Sequence, residues 1–425
     1  MPPSPPGGGR VHYGWVVVST GTLCVMAALG FGRFALGMLL PSMAGSLGLT
    51  YSQMGFLGTA NFLGYLVSAL LSARISGRTG PRIFIFFALL SVGFSLAAMS
   101  AAGGFPSVLL LYLVAGIGSA GANIPIMGLV SAWFGSRLRG RAAGFIVIGS
   151  GFAIMITGFL IPYVNRRAGA EGWRISWLIL GGITVLVACV GYAFLRNRPQ
   201  ERGLAPLGEG EAVPGPAPGT AGKETSIYRR GVIYYLGVIY FLFGFTYPIY
   251  TMFIVTVLVK EWGFPENVAG TFWMWIGFLS LFSGPVFGTL SDRLGRKAGL
   301  IVVFSLQAVS YLLVAARLPG AGLYLSIGFF GVVAWSIPSI MAAAMGDYVG
   351  AGRAAEALGL VTFIFGLGQM SGPAIAGMLA QRAGGFSISF YMAAAIAGLA
   401  IVLTAFLRKP SPGEGRALAA PPPEA

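Results

Sequence analysis

Charged side chains are scarce in this sequence. Asp, Glu, Lys and Arg make up 9% of its 425 residues, with 12 acidic against 27 basic. A soluble domain carries about a quarter of its residues as these four types. So thin a supply does not cover a globule with a solvated surface, and the solvent of the folded chain must be mostly lipid. Cysteine is nearly absent as well. The two present, Cys24 and Cys189, fall inside apolar runs, which argues against a disulfide framework or a thiolate metal site. The single histidine, His12, stands at the entrance to the first apolar run. No metal-ligand cluster, nucleotide loop or acyl-transfer triad is spaced along the chain, so neither an enzyme nor a cofactor is expected. The phosphate-binding G-x-x-x-x-G-K-[ST] loop is also missing, which excludes coupling to ATP. Residues 1–10 are rich in Pro and Gly, and no small-residue cleavage box follows the first apolar run. No cleavable leader is therefore expected.

What is present is apolar: 56% of the residues, with a mean hydropathy of +0.81. Twelve runs stand out, at 14–40, 54–73, 83–100, 107–133, 141–164, 175–195, 231–259, 268–290, 298–315, 322–346, 354–379 and 388–407. Each has roughly the 17–25 residues that a helix needs to cross about 30 Å of hydrocarbon. Barrel strands would be half as long and would alternate in polarity, which these runs do not. The expected fold is an all-α polytopic membrane protein with twelve transmembrane helices. A large soluble helical bundle is the rival, and twelve such runs leave it little room.

The basic residues set an orientation. Of the 27, Arg166, Arg167, Arg174, Lys260, Arg317 and Arg382 fall in loops on one side, Arg33 lies inside a run, and the remaining 20 fall on the other side. That imbalance predicts a cytoplasmic location for both termini and the central loop, in a bacterial inner membrane. The net charge of +15 would suggest nucleic acid in a soluble chain. Here the basic residues sit in short loops between spans, so anionic phospholipid head groups are the expected partner and nucleic acid is not. A monomer is expected.

The one long polar connection, 196–230, separates residues 1–195 from 231–407, with a disordered cytoplasmic tail expected at 408–425. The two halves echo each other at offsets of 213 to 215. Gly48 matches Gly263, Gly118 matches Gly331, Pro125 matches Pro338, and the stretch from Ser76 to Arg82 matches that from Ser291 to Lys297. A 6+6 parallel repeat implies pseudo-symmetric bundles flanking a central cavity, a geometry suited to alternating access.

The stretch Gly288-Thr289-Leu290-Ser291-Asp292-Arg293-Leu294-Gly295-Arg296-Lys297 resembles the cytoplasmic loop motif of the major facilitator superfamily. The resemblance covers nearly the whole chain. It implies that the loop charges form a relay with the neighbouring helix, with Asp292 facing the N-terminus of the eleventh helix, where a carboxylate is favoured. Asp292, Arg293, Arg296 and Lys297 are thus candidate gating residues, and Asp347, Arg353 and Glu356 in the next loop on that side complete the network. The first-half copy keeps Arg78 and Arg82 but has Gly77 at the acidic position and Pro81 at a basic one, so gating is expected to lean on the second half. The bland reading is that all of these are solvated loop charges. Within the superfamily, Tyr13-Gly14-Trp15, Trp133-Phe134 with Arg137, Arg139 and Gly140, the Gly144/Gly149/Gly151 series and Gly172-Trp173-Arg174 resemble the monocarboxylate and oxalate/formate branch. Gly32-Arg33-Phe34 with Pro41, and Asn61-Phe62-Leu63-Gly64, resemble related bacterial members of the YbfB/YjiJ-like kind.

Arg33 is the informative residue, the only ionisable group well inside a span. A guanidinium there costs several kcal/mol unless it reaches water or a polar cavity. Its fork matches a carboxylate, so a small organic anion such as a monocarboxylate is the expected substrate. The alternative is that it snorkels to the interface or caps helix carbonyls. The superfamily lines its cavity with the first, fourth, seventh and tenth helices. That implies Asn123, Tyr240, Tyr247, Tyr250 and Trp335 as substrate contacts, with Asn61 of the second helix and Gln369 of the eleventh as further candidates. Each aromatic taken alone is as readily packing as a ligand contact. Proton-driven members of the monocarboxylate branch keep a carboxylate in the membrane and pair it with an arginine in the eighth helix. Here Phe272, Trp273, Met274 and Trp275 supply neither. Exchange against a counter-anion is therefore expected over proton symport, unless Asp347 or Glu356 serves. Two rivals remain: efflux of amphipathic compounds on the same fold, and a membrane receptor that transports nothing.

Overall fold

A computed structural model describes residues 12–208, 228, 230–318, 320–350 and 352–408. Most of the connection read at 196–230 and nearly all of the tail read at 408–425 lie outside the described residues. Among those described there is no sheet, only one isolated bridge between Phe134 and Leu207. Eleven helical runs are long and apolar enough to cross a membrane. They are α1 (Tyr13–Leu47), α2 (Tyr51–Thr79), α3 (Pro81–Met99), α4 (Phe105–Trp133), the composite Arg137–Phe194, α7 (Gly231–Glu261), α8 (Glu266–Leu294), α9 (Arg296–Ala315), α10 (Ala321–Val349), α11 (Ala354–Ala383) and α12 (Ser387–Phe406). The composite has 58 residues, which as one straight helix would measure about 87 Å. It is two helices, α5 (Ser136–Ala168) and α6 (Gly172–Phe194), packed on each other and joined by the 3-10 turn Gly169–Glu171. Each apolar run of the sequence lies within one of these helices to within one residue.

Side-chain bonds fix which turns share an end. At one end Tyr13 donates to Phe194 O, Trp133 Nε1 to Arg196 O, and Lys297 to Ala405 O. This is the near end, which also holds the turns at Gly80 and Gly295. At the far end Ser46 donates to Glu171, Arg174 to Ser100 O and Ala102 O, and the Phe386 N–H to Glu261.

The packing plan repeats. In the first half α2 packs on α4, α3 on α4 and α6, and α1 on α5; six helices later α8 packs on α10, α9 on α10 and α12, and α7 on α11. The hairpin turns repeat as well. Gly80 (φ 84°, ψ 138°) and Gly295 (φ 91°, ψ 153°) start α3 and α9 with the same backbone bend, which a side chain would strain. Between the halves, α5 lies along α8, α2 along α11 and α1 along α7. The central helices are α1 and α7, with 83% and 94% of their most apolar windows buried, while Phe94, Leu110, Phe159, Leu186 and Tyr324 stand exposed on the outer faces. Apolar outside and sealed within, the chain is a multi-pass membrane protein.

Helices α1 and α10 are interrupted midway. Residues Met26–Phe34 of α1 form a π-helical segment, whose loosened carbonyls find side-chain donors on neighbouring helices. Ser119 donates to Ala28 O at 2.6 Å, Asn61 to Gly32 O at 3.0 Å and Tyr112 to Arg33 O at 2.6 Å. In α10 the helix breaks at Ala334 and Trp335, and the freed Trp335 N–H donates to Ser283 Oγ of α8 at 3.1 Å. Irregular backbone at membrane depth is tolerated only where protein or a water-filled cavity satisfies it. Both irregularities border the same space.

Candidate functional site

That space is a cavity of about 560 Å³ between the halves, walled by α1, α4 and α5 on one side and α7, α8, α10 and α11 on the other. Arg33, Trp335 and Tyr247 form its inner end. Gly140 and Gly144 of α5, Pro285 of α8 and Ala342 of α10 lead from there to the near end. A methyl at Gly140 or Gly144 would meet nothing within 4 Å, so the cavity wall is open along this stretch of α5.

At the far end the halves touch. Asn165 Nδ2 of α5 donates to Glu266 Oε1 of α8 at 2.7 Å, and Gln381 Oε1 of α11 accepts from the Tyr51 N–H of α2 at 3.0 Å. Deeper, Thr59 Oγ1 donates to Met370 O at 2.6 Å and Trp273 Nε1 to Thr157 Oγ1 at 3.2 Å. The backbones meet closely here: a methyl at Gly55 would overlap Pro373 O, and one at Gly158 would overlap Gly270 O.

Arg33 projects from the π-helical segment into the inner end. Its guanidinium lies over the ring of Tyr65 (4.3 Å to the centroid) and of Phe62 (4.7 Å). Tyr247 is a close electrostatic neighbour. The Nε and Nη2 atoms are buried with no acceptor, and none of the ion pairs among the described residues includes Arg33. Among the described residues no Asp or Glu lines the cavity. The ring faces attract the cation, with about 0.5–2 kcal/mol per contact, but they do not neutralise it. The cavity therefore carries one fixed positive charge with unused donors.

Most of the residues singled out in the sequence meet here. Arg33, Asn123, Tyr240, Tyr247, Trp335 and Gln369 line the cavity. Gln369 donates to the Tyr247 hydroxyl, Asn123 Nδ2 donates to Tyr65 at 2.9 Å, and Trp335 packs against Phe34 at 5.1 Å and Tyr247 at 5.9 Å. Asn61 lies beside Arg33 in a small adjoining cleft and binds backbone, through Gly32 O and Tyr112 O. Tyr250 does not line the cavity. Its hydroxyl pairs with Ser326 at 2.8 Å and its ring stacks on Phe330 at 3.9 Å, inside the second half. Tyr65, Phe243 and Phe365 were not singled out by the sequence, yet Tyr65 carries the guanidinium and the other two line the wall. The signal for Tyr65 was there, one helical turn after Asn61 on the same face.

The loop charges divide unevenly. Arg296 Nε pairs with Asp347 at 2.7 Å, and its Nη1 pairs with Asp292 and donates to Ser291 Oγ at 2.9 Å. Lys297, at the start of α9, donates to Ala405 O of α12. In the first half, Arg82 Nε donates to Tyr192 O at 2.7 Å and the guanidinium lies over the Tyr192 ring, with no carboxylate involved. Arg78, Arg293 and Glu356 are exposed, and Arg353 precedes the first turn of α11. Among the described residues no group of three His, Cys, Asp or Glu side chains is placed to hold a metal ion.

Residues 25–405 match the family described as "Uncharacterised MFS-type transporter YbfB". The hexuronate transporter of Bacillus subtilis is 26% identical over 397 residues, covering 87% of this chain and 90% of that one. Human monocarboxylate transporter 2 is 26% identical over 421 residues, covering 92% and 84%. Among solved structures, a bacterial homolog of the human lysosomal transporter Spinster, in an inward-facing conformation, superposes with a TM-score of 0.72 at 15% identity, covering 93% of this chain and 97% of that one.

Proposed function

The chain belongs to the YbfB-type family of the major facilitator superfamily, a secondary transporter and not an enzyme, and from that membership we propose that it carries small organic anions, carboxylates above all. The observation that carries the proposal is the Arg33 guanidinium, with two nitrogens buried and unpaired at the end of a cavity without a carboxylate. An uncompensated cation in low dielectric costs several kcal/mol. A bidentate carboxylate offsets that cost while it is bound. Hexuronate and monocarboxylate transporters are both named for carboxylates, which supports the same class.

Transport then follows from the two ends. In this reading the helices make twelve crossings, as two six-helix bundles at 1–195 and 231–407 joined by the cytoplasmic linker 196–230. With the 20 basic loop residues facing the cytoplasm of a bacterial cell, the cavity is open inward and the contacts around Asn165, Glu266, Tyr51 and Gln381 form the closed outer gate. Rocking the bundles would part that gate and close the near end, where Arg296 and its two aspartates clamp the second half's hairpin. With no carboxylate in the cavity to take up a proton, exchange of one anion for another is the favoured coupling.

The test is uptake of labelled lactate, formate, oxalate and pyruvate into proteoliposomes, with and without a pH gradient, in wild type and Arg33→Ala. Uptake of one acid that collapses in the variant is the expected result. An acid taken up equally well by Arg33→Ala would remove the anion site. No uptake of any acid would shift the reading to efflux of amphipathic compounds.

A further inference from the structure

The charge of the cavity and its longest run of stacked rings come from opposite sides. Arg33 belongs to α1, whereas Tyr240, Phe243 and Tyr247 of α7 and Phe365 of α11 form the facing wall. These four rings are stacked nearly parallel. Phe243 lies 4.9 Å from Tyr247 with planes 22° apart, and Phe365 lies 4.2 Å from Tyr240 at 14° and 5.7 Å from Phe243 at 12°. The wall begins beside the guanidinium at Tyr247 and runs two helical turns towards the mouth at Tyr240, a rise of about 10 Å.

An acid of two or three carbons would meet Arg33 and leave the rest of the cavity unfilled. A polyhydroxylated acid would find its hydrogen-bond partners elsewhere in the cavity, at Asn123, Ser280 and Ser339, whereas between the hydroxyls of Tyr247 and Tyr240 this wall offers only ring carbon. A flat apolar group joined to a carboxylate by a short linker satisfies both sides at once. Its carboxylate reaches the unpaired guanidinium nitrogens, and its ring covers the wall in offset or edge contact. We infer that the preferred guest is an arylalkanoate, a carboxylate with an aromatic ring two or three bonds away. The inference rests on the anion reading of Arg33 and narrows it.

Calorimetric titration of the purified full chain with 3-phenylpropionate, lactate and 3-phenylpropanol separates the two. The expected dissociation constant for 3-phenylpropionate is about 10- to 100-fold below that for lactate, from burial of one ring. The alcohol, which keeps the ring and loses the charge, should bind about 10-fold more weakly than the acid, or worse. Phe365→Ala should narrow the preference between the two acids, and Phe365→Leu, which keeps apolar bulk, should narrow it less. Lactate binding as tightly as 3-phenylpropionate, with both lost in Arg33→Ala, overturns the aryl preference and leaves the anion site standing. The alcohol binding as tightly as the acid overturns the anion reading itself. Binding of neither acid overturns both.

Discussion

At the turn after α2 and at the turn after α8 the backbone does the same thing and the side chains do not. Gly80 and Gly295 bend alike, and the helices around them pack in the same order. Yet Arg82 rests on a carbonyl and a ring, while Arg296 is held by Asp292 and Asp347. The cavity shows the same division. The first half brings the one charge, Arg33, and the second brings the ring wall. A shared packing plan requires only that corresponding helices bury the same kind of face. It does not fix the polar residues, since each of those needs only one partner and the cavity needs only one charge. The difference teaches that symmetry here belongs to the scaffold and asymmetry to the function.

Four perturbations break or sharpen that comparison. The largest effect is expected at the charge. Arg33→Ala should raise the half-saturation concentration for the transported acid by about 100-fold or more, from the loss of a buried charge-assisted pair. Arg33→Lys, which keeps the charge without the fork, should fall between the variant and wild type in the same uptake assay. The far-end contacts come next. Gly158→Leu wedges α5 away from α8 at a cost of about 1–3 kcal/mol, a shift of roughly 5- to 150-fold toward the state open at the far end. Spin-label distances between α2 and α11 at the far end would report it, and unchanged distances would show that the close approach is not needed. Smaller is the effect at the hairpins. Arg296 is partly exposed, so Asp347→Asn should move the balance between the two states by less than about 5-fold. Arg82→Ala in the first half should move it less still. Equal shifts at both hairpins would contradict the asymmetry. Smallest for transport is Tyr250→Phe. It should lower stability by about 1 kcal/mol through the lost Ser326 bond and leave the transport KM unchanged.

Tyr250 also shows where the sequence stops being legible. Viewed down α7, Tyr250 falls close to Phe243, so its face is right. It is three residues deeper than Tyr247, and there the cavity has already closed and Phe330, Tyr311 and Phe390 surround the ring. A helical wheel gives azimuth but not depth. The spans were legible because lipid imposes a length, and Arg33 stood out because a lone charge in an apolar run must find a polar cavity, the interface or helix carbonyls. The π-helical segment of α1 was not. It depends on Ser119, Asn61 and Tyr112 arriving from two other helices to take its carbonyls, and nothing in residues 26–34 announces them. Tyr65 shares a face with Asn61, one helical turn on, but that position alone does not single it out. Its importance comes from lying under a guanidinium that belongs to another helix.

The most direct test of Arg33 as the anion anchor is the thermal stability of the purified chain with and without a bound acid. A ligand present at about 100 times its dissociation constant stabilises the folded state by about 2.7 kcal/mol. The account predicts that the transported acid raises the melting temperature of the wild type by several degrees. It also predicts that Arg33→Gln, similar in length but neutral, melts at one temperature whether or not the acid is present. An equal rise in the wild type and the variant would contradict it.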